Sequence, residues 1–156
     1  MQGILANILV AVLAASLIVA AAGDLRSRLI PNRLNLAIAV TAIPFWWLSG
    51  YALWPDIAIQ IGLAAAVFCF FALLFHFGMM GGGDVKLLGA IALWLPLASM
   101  LKLLVIMSVA GGVLALVMLV RQRRLNNGKK TEVPYGVAIS FAGLWLIGER
   151  YLYQFG

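Results

Sequence analysis

Charge is scarce in this sequence. Only 10% of its 156 residues are Asp, Glu, Lys or Arg, while 65% are hydrophobic. An ordinary soluble domain is about a quarter charged, so there is too little polar surface here to clothe a water-soluble globule. Cysteine is almost absent. With Cys69 alone, neither an internal disulfide nor a multi-cysteine zinc site can form. Histidine is limited to His76, which leaves no second imidazole for a metal, and no serine stands in a Gly-x-Ser-x-Gly context. His76 and Cys69 are therefore expected to be packing residues of an apolar segment. What remains is an all-α, polytopic integral membrane protein, expected as a single transmembrane domain over residues 1–156.

Six apolar stretches fit that class: residues 4–23, 36–54, 57–78, 85–98, 100–120 and 134–148. A crossing helix needs about 20 mostly apolar residues, and helices satisfy their own backbone hydrogen bonds in lipid. About six transmembrane helices are expected. The fourth and sixth stretches are short enough to be re-entrant or surrounded by protein. The first has no basic residue ahead of it and is long enough to cross, which argues against a cleaved signal. Phe45, Trp46, Trp47, Tyr51 and Trp54 read as an interfacial aromatic belt.

The basic residues orient the chain. Arg26, Arg28 and Arg33 follow the first stretch, Lys86 the third, and Arg121, Arg123, Arg124, Lys129 and Lys130 the fifth. Positive charge gathers in cytoplasmic loops. All of these fall on one side if six spans alternate, which places both termini on the other. The net charge of +6 then needs no nucleic acid; lipid headgroups suffice as its partner.

Among the five acidic residues, Asp24 and Asp84 stand apart. One ends the first stretch and the other opens the fourth, so alternation puts both at the same cytoplasmic depth. Ionisable groups near hydrocarbon are costly and often functional. Two carboxyls brought together resist double ionisation, so the pair holds an acid and a base at once. That is the equipment for hydrolysing a peptide with activated water. The plainer roles are an interfacial helix end for Asp24 and an N-cap for Asp84. Gly81, Gly82 and Gly83 just before Asp84 are more than a cap requires; they leave room for a second chain to approach. No Gly-Lys-Ser/Thr follows them, which excludes a phosphate loop.

These residues carry a resemblance. Gly81-Gly82-Gly83-Asp84 resembles the G-x-G-D signature of membrane aspartyl proteases, and Asp84-Val85-Lys86-Leu87 is similar to the form found in type IV prepilin peptidases. The stretch DLRSRLIPN, residues 24–32, resembles the other half of that family's site, and Pro134-Tyr135-Gly136 a weaker third element. The resemblance implies an endopeptidase that removes the short basic leader of prepilins at the cytoplasmic face, with Asp24 and Asp84 catalytic and Gly81 and Gly83 as signature glycines. Gly82, Lys86, Pro31 and Asn32 are expected to shape the site or touch substrate; Lys86 reads equally as an interfacial lysine. It implies a prepilin partner with a single hydrophobic helix and a bacterial inner-membrane location. Larger family members carry paired Cys-x-x-Cys motifs and N-methylate the new terminus; with one cysteine, neither zinc, another cofactor nor methyl transfer is expected here. The compact form is similar to the stand-alone peptidases of tight-adherence (Flp) pilus systems, with archaeal preflagellin peptidases a related group. Two other classes stay open: a small transporter subunit using the same aspartates as a proton or cation relay, and a non-catalytic membrane scaffold.

Overall fold

The computed structural model describes residues 2–125 and 134–155. Lys129, Lys130 and Glu132 of the basic stretch lie outside them. Six α-helices follow one another: α1 (Gln2–Ser27), α2 (Asn32–Leu48), α3 (Ala58–His76), α4 (Gly82–Ala92), α5 (Leu97–Leu125) and α6 (Tyr135–Phe155), with a wide helical turn, Leu53–Ile57, leading into α3. No strand occurs among the described residues. The all-α expectation holds.

Among the described residues, three helical segments are long and apolar enough to cross a bilayer: Gly3–Ser27, Leu53–His76 and Leu97–Arg121. Their outer faces carry Ile18, Val19, Phe70, Leu73, Val109 and Val113 in the open. In water such a surface would drive aggregation; in lipid it is the natural exterior. The chain is a polytopic membrane protein.

The fourth stretch departs from the simple count. α4 begins earlier and ends sooner than residues 85–98, and has 11 residues. At 1.5 Å per residue it is about 16 Å long, half of a hydrocarbon core of about 30 Å. It does not cross on its own. It is wrapped by protein instead, packing against α2, α3 and α6. Val85, Leu87, Leu88, Ala90, Ile91 and Ala92 are all buried. α6 departs the other way, running past residue 148 because Glu149 and Arg150 continue the helix.

A short helix buried in a membrane protein must satisfy its terminal carbonyls without water. Side chains do this at the C-terminal end of α4. Gln60 Nε2 donates to the carbonyls of Ala92 and Leu95 at 2.6 Å each. Trp46 Nε1 donates to Leu93 O at 2.8 Å, and Trp94 Nε1 to Ile38 O at 2.8 Å. The aromatic belt is thereby split. Trp47 and Trp54 are more than 80% exposed, as an interfacial belt requires, whereas Phe45 and Trp46 are core. Phe45 stacks against Trp94 with centroids 4.8 Å apart. At the same end Lys102 and Glu149 form an ion pair at 3.3 Å. Cys69, expected to be buried, is exposed. His76 closes α3, also exposed, edge-on to Phe77.

Candidate active site

α1 and α4 each pack against both α2 and α6. Those two shared neighbours bring Asp24 and Asp84, sixty positions apart in sequence, to the rim of one cavity of about 270 Å³. Arg28, Gly78, Met79, Met80, Gly81 and Tyr135 complete its lining. Both carboxyl-bearing residues are buried, at 5% and 8% exposure. Buried carboxyls need hydrogen-bond donors, and each has its own.

Asp24 sits within the last turns of α1 rather than beyond its end. Its Oδ2 accepts the Val137 N–H at 3.1 Å, and the Gly136 N–H also faces it. These amides belong to the first turn of α6, a helix end that favours negative charge, and the Val137 N–H is shared with Pro134 O at 3.2 Å. Contact this close depends on Gly136 having no side chain. A methyl group there would lie 2.8 Å from Asp24 Oδ2 and 2.7 Å from Ile30 Cδ1.

Asp84 is the third residue of α4, not its N-cap; Gly81 occupies the cap position without any side-chain bond. The Asp84 carboxyl reaches back to accept the Gly81 N–H, the acidic half of a capping box. Capping and site-building are therefore the same act. A side chain at Gly81 would meet Asp84 Oδ2 at 2.9 Å. Burial first, and then the nearby charge of Asp24, push the Asp84 carboxyl up to about 7, while the Gly81 N–H pulls the other way. Two carboxyls in mutual electrostatic contact, one of them protonated near neutrality, can supply a base and an acid to one water molecule.

The remaining expected residues divide. Gly83 lets the start of α4 press on the loop after α1; a methyl there would lie 3.3 Å from Ile30 Cβ. Asn35 Nδ2 holds the Gly83 carbonyl at 3.2 Å. Gly82 faces Phe75. Pro31 starts α2, its carbonyl accepting the N–H groups of Leu34 and Asn35. Lys86 turns elsewhere: its Nζ donates to Asn32 Oδ1 at 2.9 Å, and both line a separate groove between α2, α3 and α4. Sequence reasoning did not select Ile30, buried between the two glycines Gly83 and Gly136, although it lies inside the Ile-Pro-Asn element. Nor did it select Arg28, read only as loop charge. A basic residue four positions after an acidic one at a helix end is the signal that points to Arg28.

Comparison with known proteins places the chain in a family. The sequence profile of the Type IV leader peptidase family matches residues 11–116. The chain is 28% identical over 135 residues to a prepilin leader peptidase/N-methyltransferase of Xanthomonas campestris pv. campestris, covering 80% of this chain and 43% of that protein. It is 28% identical over 129 residues to the protein of the same name from Aeromonas salmonicida, covering 79% and 42% respectively. The chain thus spans less than half the length of these curated relatives. No solved structure gives a significant match. The matched segment contains both aspartates and covers well over half of the sequence: the chain belongs to the Type IV leader peptidase family.

Proposed function

We propose that this chain is an aspartyl endopeptidase that cleaves the basic leader from prepilins or prepilin-like proteins at the cytoplasmic face of the bacterial inner membrane. The observation that carries it is the shared cavity of Asp24 and Asp84, each with its own backbone donor. Asp24, facing two amides of α6, is suited to carry the negative charge and act as base. Asp84, protonated near neutrality, is suited to act as acid. Water gives a proton to Asp24 while its oxygen attacks the scissile carbonyl carbon. Asp84 gives its proton to the carbonyl oxygen. Collapse of the tetrahedral intermediate returns a hydroxyl proton to Asp84 and breaks the C–N bond, and the proton on Asp24 passes to the departing amine, which restores the dyad.

The basic residues support the orientation. Arg26 and Arg28 stand at the end of α1, Arg33 at the start of α2, Lys86 in the first half of α4 and Arg121 toward the end of α5, positions that alternation of the spans assigns to the cytoplasmic side. A prepilin has a polar leader followed by one apolar helix. Membrane insertion of that helix would hold the cleavage point at the depth of the aspartates and lower the orientational cost. A proton or cation relay would need acids along a path through the membrane; both acids open on one cavity at one end, which favours hydrolysis.

The test is to make Asp24→Asn and Asp84→Asn separately, confirm insertion, and follow prepilin cleavage in membranes. Each substitution keeps the side-chain shape and removes the titratable proton. Cleavage should fall by about 10²- to 10⁴-fold in both. Retained cleavage in either removes that carboxyl from the chemistry.

A further inference from the structure

Arg28 has a left-handed backbone, with φ at 54°. Among the described residues no other non-glycine has a positive φ. Its N–H donates to Asp24 O at 3.0 Å, closing α1. This is the position just beyond a helix end where glycine is usual, because a Cβ is unfavourable in that region. Stopping the helix needs the conformation but not this side chain. Nor is Arg28 required to place positive charge at the helix end, since Arg26 already stands in the last turn of α1.

The side chain has a second feature. Arg28 lines the cavity that holds Asp24 and Asp84, and its charge acts on Asp24. Yet its guanidinium has no ion pair within 4 Å and no hydrogen bond among the described residues. Five donors thus stand beside the cavity without an acceptor among the described residues. With one proton on the dyad, the charges of Asp24 and Arg28 cancel. A neutral cavity of this kind suits a stretch of peptide backbone better than a charged side chain.

We propose that Arg28 is a substrate-binding residue of the dyad cavity, its guanidinium donating hydrogen bonds to backbone carbonyl oxygens of the peptide strand held beside the aspartates. The left-handed turn after α1 aims it there, and the strain is retained for that purpose. The inference rests on the peptidase function proposed above.

The experiment uses the enzyme in vesicles with a prepilin carrying its leader and apolar helix. Arg28→Gly and Arg28→Asn both tolerate the left-handed backbone and remove the guanidinium. In each, KM should rise about tenfold or more, the loss expected for a charge-assisted hydrogen bond, with kcat changed far less. The thermal unfolding midpoint should stay level or rise in Arg28→Gly, which a purely structural residue would not allow. Arg28→Lys should recover part of the KM loss. Binding of uncleaved prepilin to Asp84→Asn enzyme should weaken by the same factor when Arg28→Gly is added. KM and binding within twofold of the parent in either neutral variant would overturn the assignment. Cleavage by Asp84→Asn itself would instead remove the peptidase function, and this inference with it.

Discussion

The two ends of α4 are built on opposite plans. At its C-terminal end, Gln60 and Trp46 donate to backbone carbonyls, and the rings of Phe45 and Trp94 pack against each other. At its N-terminal end the helices meet through glycine, and a cavity is left open beside two buried carboxyls. The first end has its carbonyls satisfied, and the cavity of about 480 Å³ beside it is lined by Phe45, Trp94, Lys102 and Glu149 with no aspartate among the described residues. The other leaves two buried carboxyls and, among the described residues, a guanidinium without an ion pair around a cavity of about 270 Å³. A helix too short to span the membrane is thereby anchored at one end, and its other end stands beside the two carboxyls.

The contrast can be broken most sharply at Gly136. Gly136→Val would push directly on Asp24 Oδ2 and Ile30, and displacements of about 1 Å at a reacting group cost about 10²-fold. Prepilin cleavage should fall by that order with insertion retained; unchanged cleavage would show that the α6 amides do not hold Asp24. The next effect is on pH. Asp84 is raised to about 7, so it holds its proton below that value and loses it above. A mechanism that needs one protonated carboxyl should lose activity above about pH 7, roughly tenfold per unit. A rate that keeps climbing to pH 9 would contradict it.

The C-terminal end should respond in stability, not in chemistry. Gln60→Leu preserves volume and strands the buried carbonyl of Ala92 and the partly buried one of Leu95. Unfolding in detergent should show a loss of about 2 kcal/mol or more, while cleavage per folded molecule stays near the parent value. The smallest effect belongs to Lys102. Its side chain is 61% exposed in the pair with Glu149, and such pairs contribute about 0–1 kcal/mol. Lys102→Met should leave cleavage unchanged and barely move the unfolding midpoint.

Which features were legible in the sequence follows from their range. Hydropathy alone announced a helical membrane protein, and alternation of the apolar stretches put Asp24 and Asp84 at one depth. Local glycine and aspartate spacing marked the start of α4. The length of α4 was not legible, because Leu93 to Leu97 continue its apolar character past the point where the helix stops. Burial of Phe45 and Trp46 depends on which face of α2 meets Trp94, and an aromatic run looks the same in either role. The amides that hold Asp24 come from residues more than a hundred positions away, and backbone donors leave no side-chain signature. Lys86 stood close to Asp84 in sequence, yet helical geometry turned it toward Asn32. The conformation of Arg28 was hidden because glycine, its usual marker, is absent there.

Direct titration of Asp84, through the infrared band of its protonated carboxyl in the parent enzyme and in Asp24→Asn, reaches the coupling of the two carboxyls most closely. Half-deprotonation near pH 7 in the parent, moving to lower pH once the Asp24 charge is gone, is the expected result. An Asp84 that titrates near the ordinary carboxylate value of about 4, indifferent to the residue at position 24, would mean that the two acids do not form a pair.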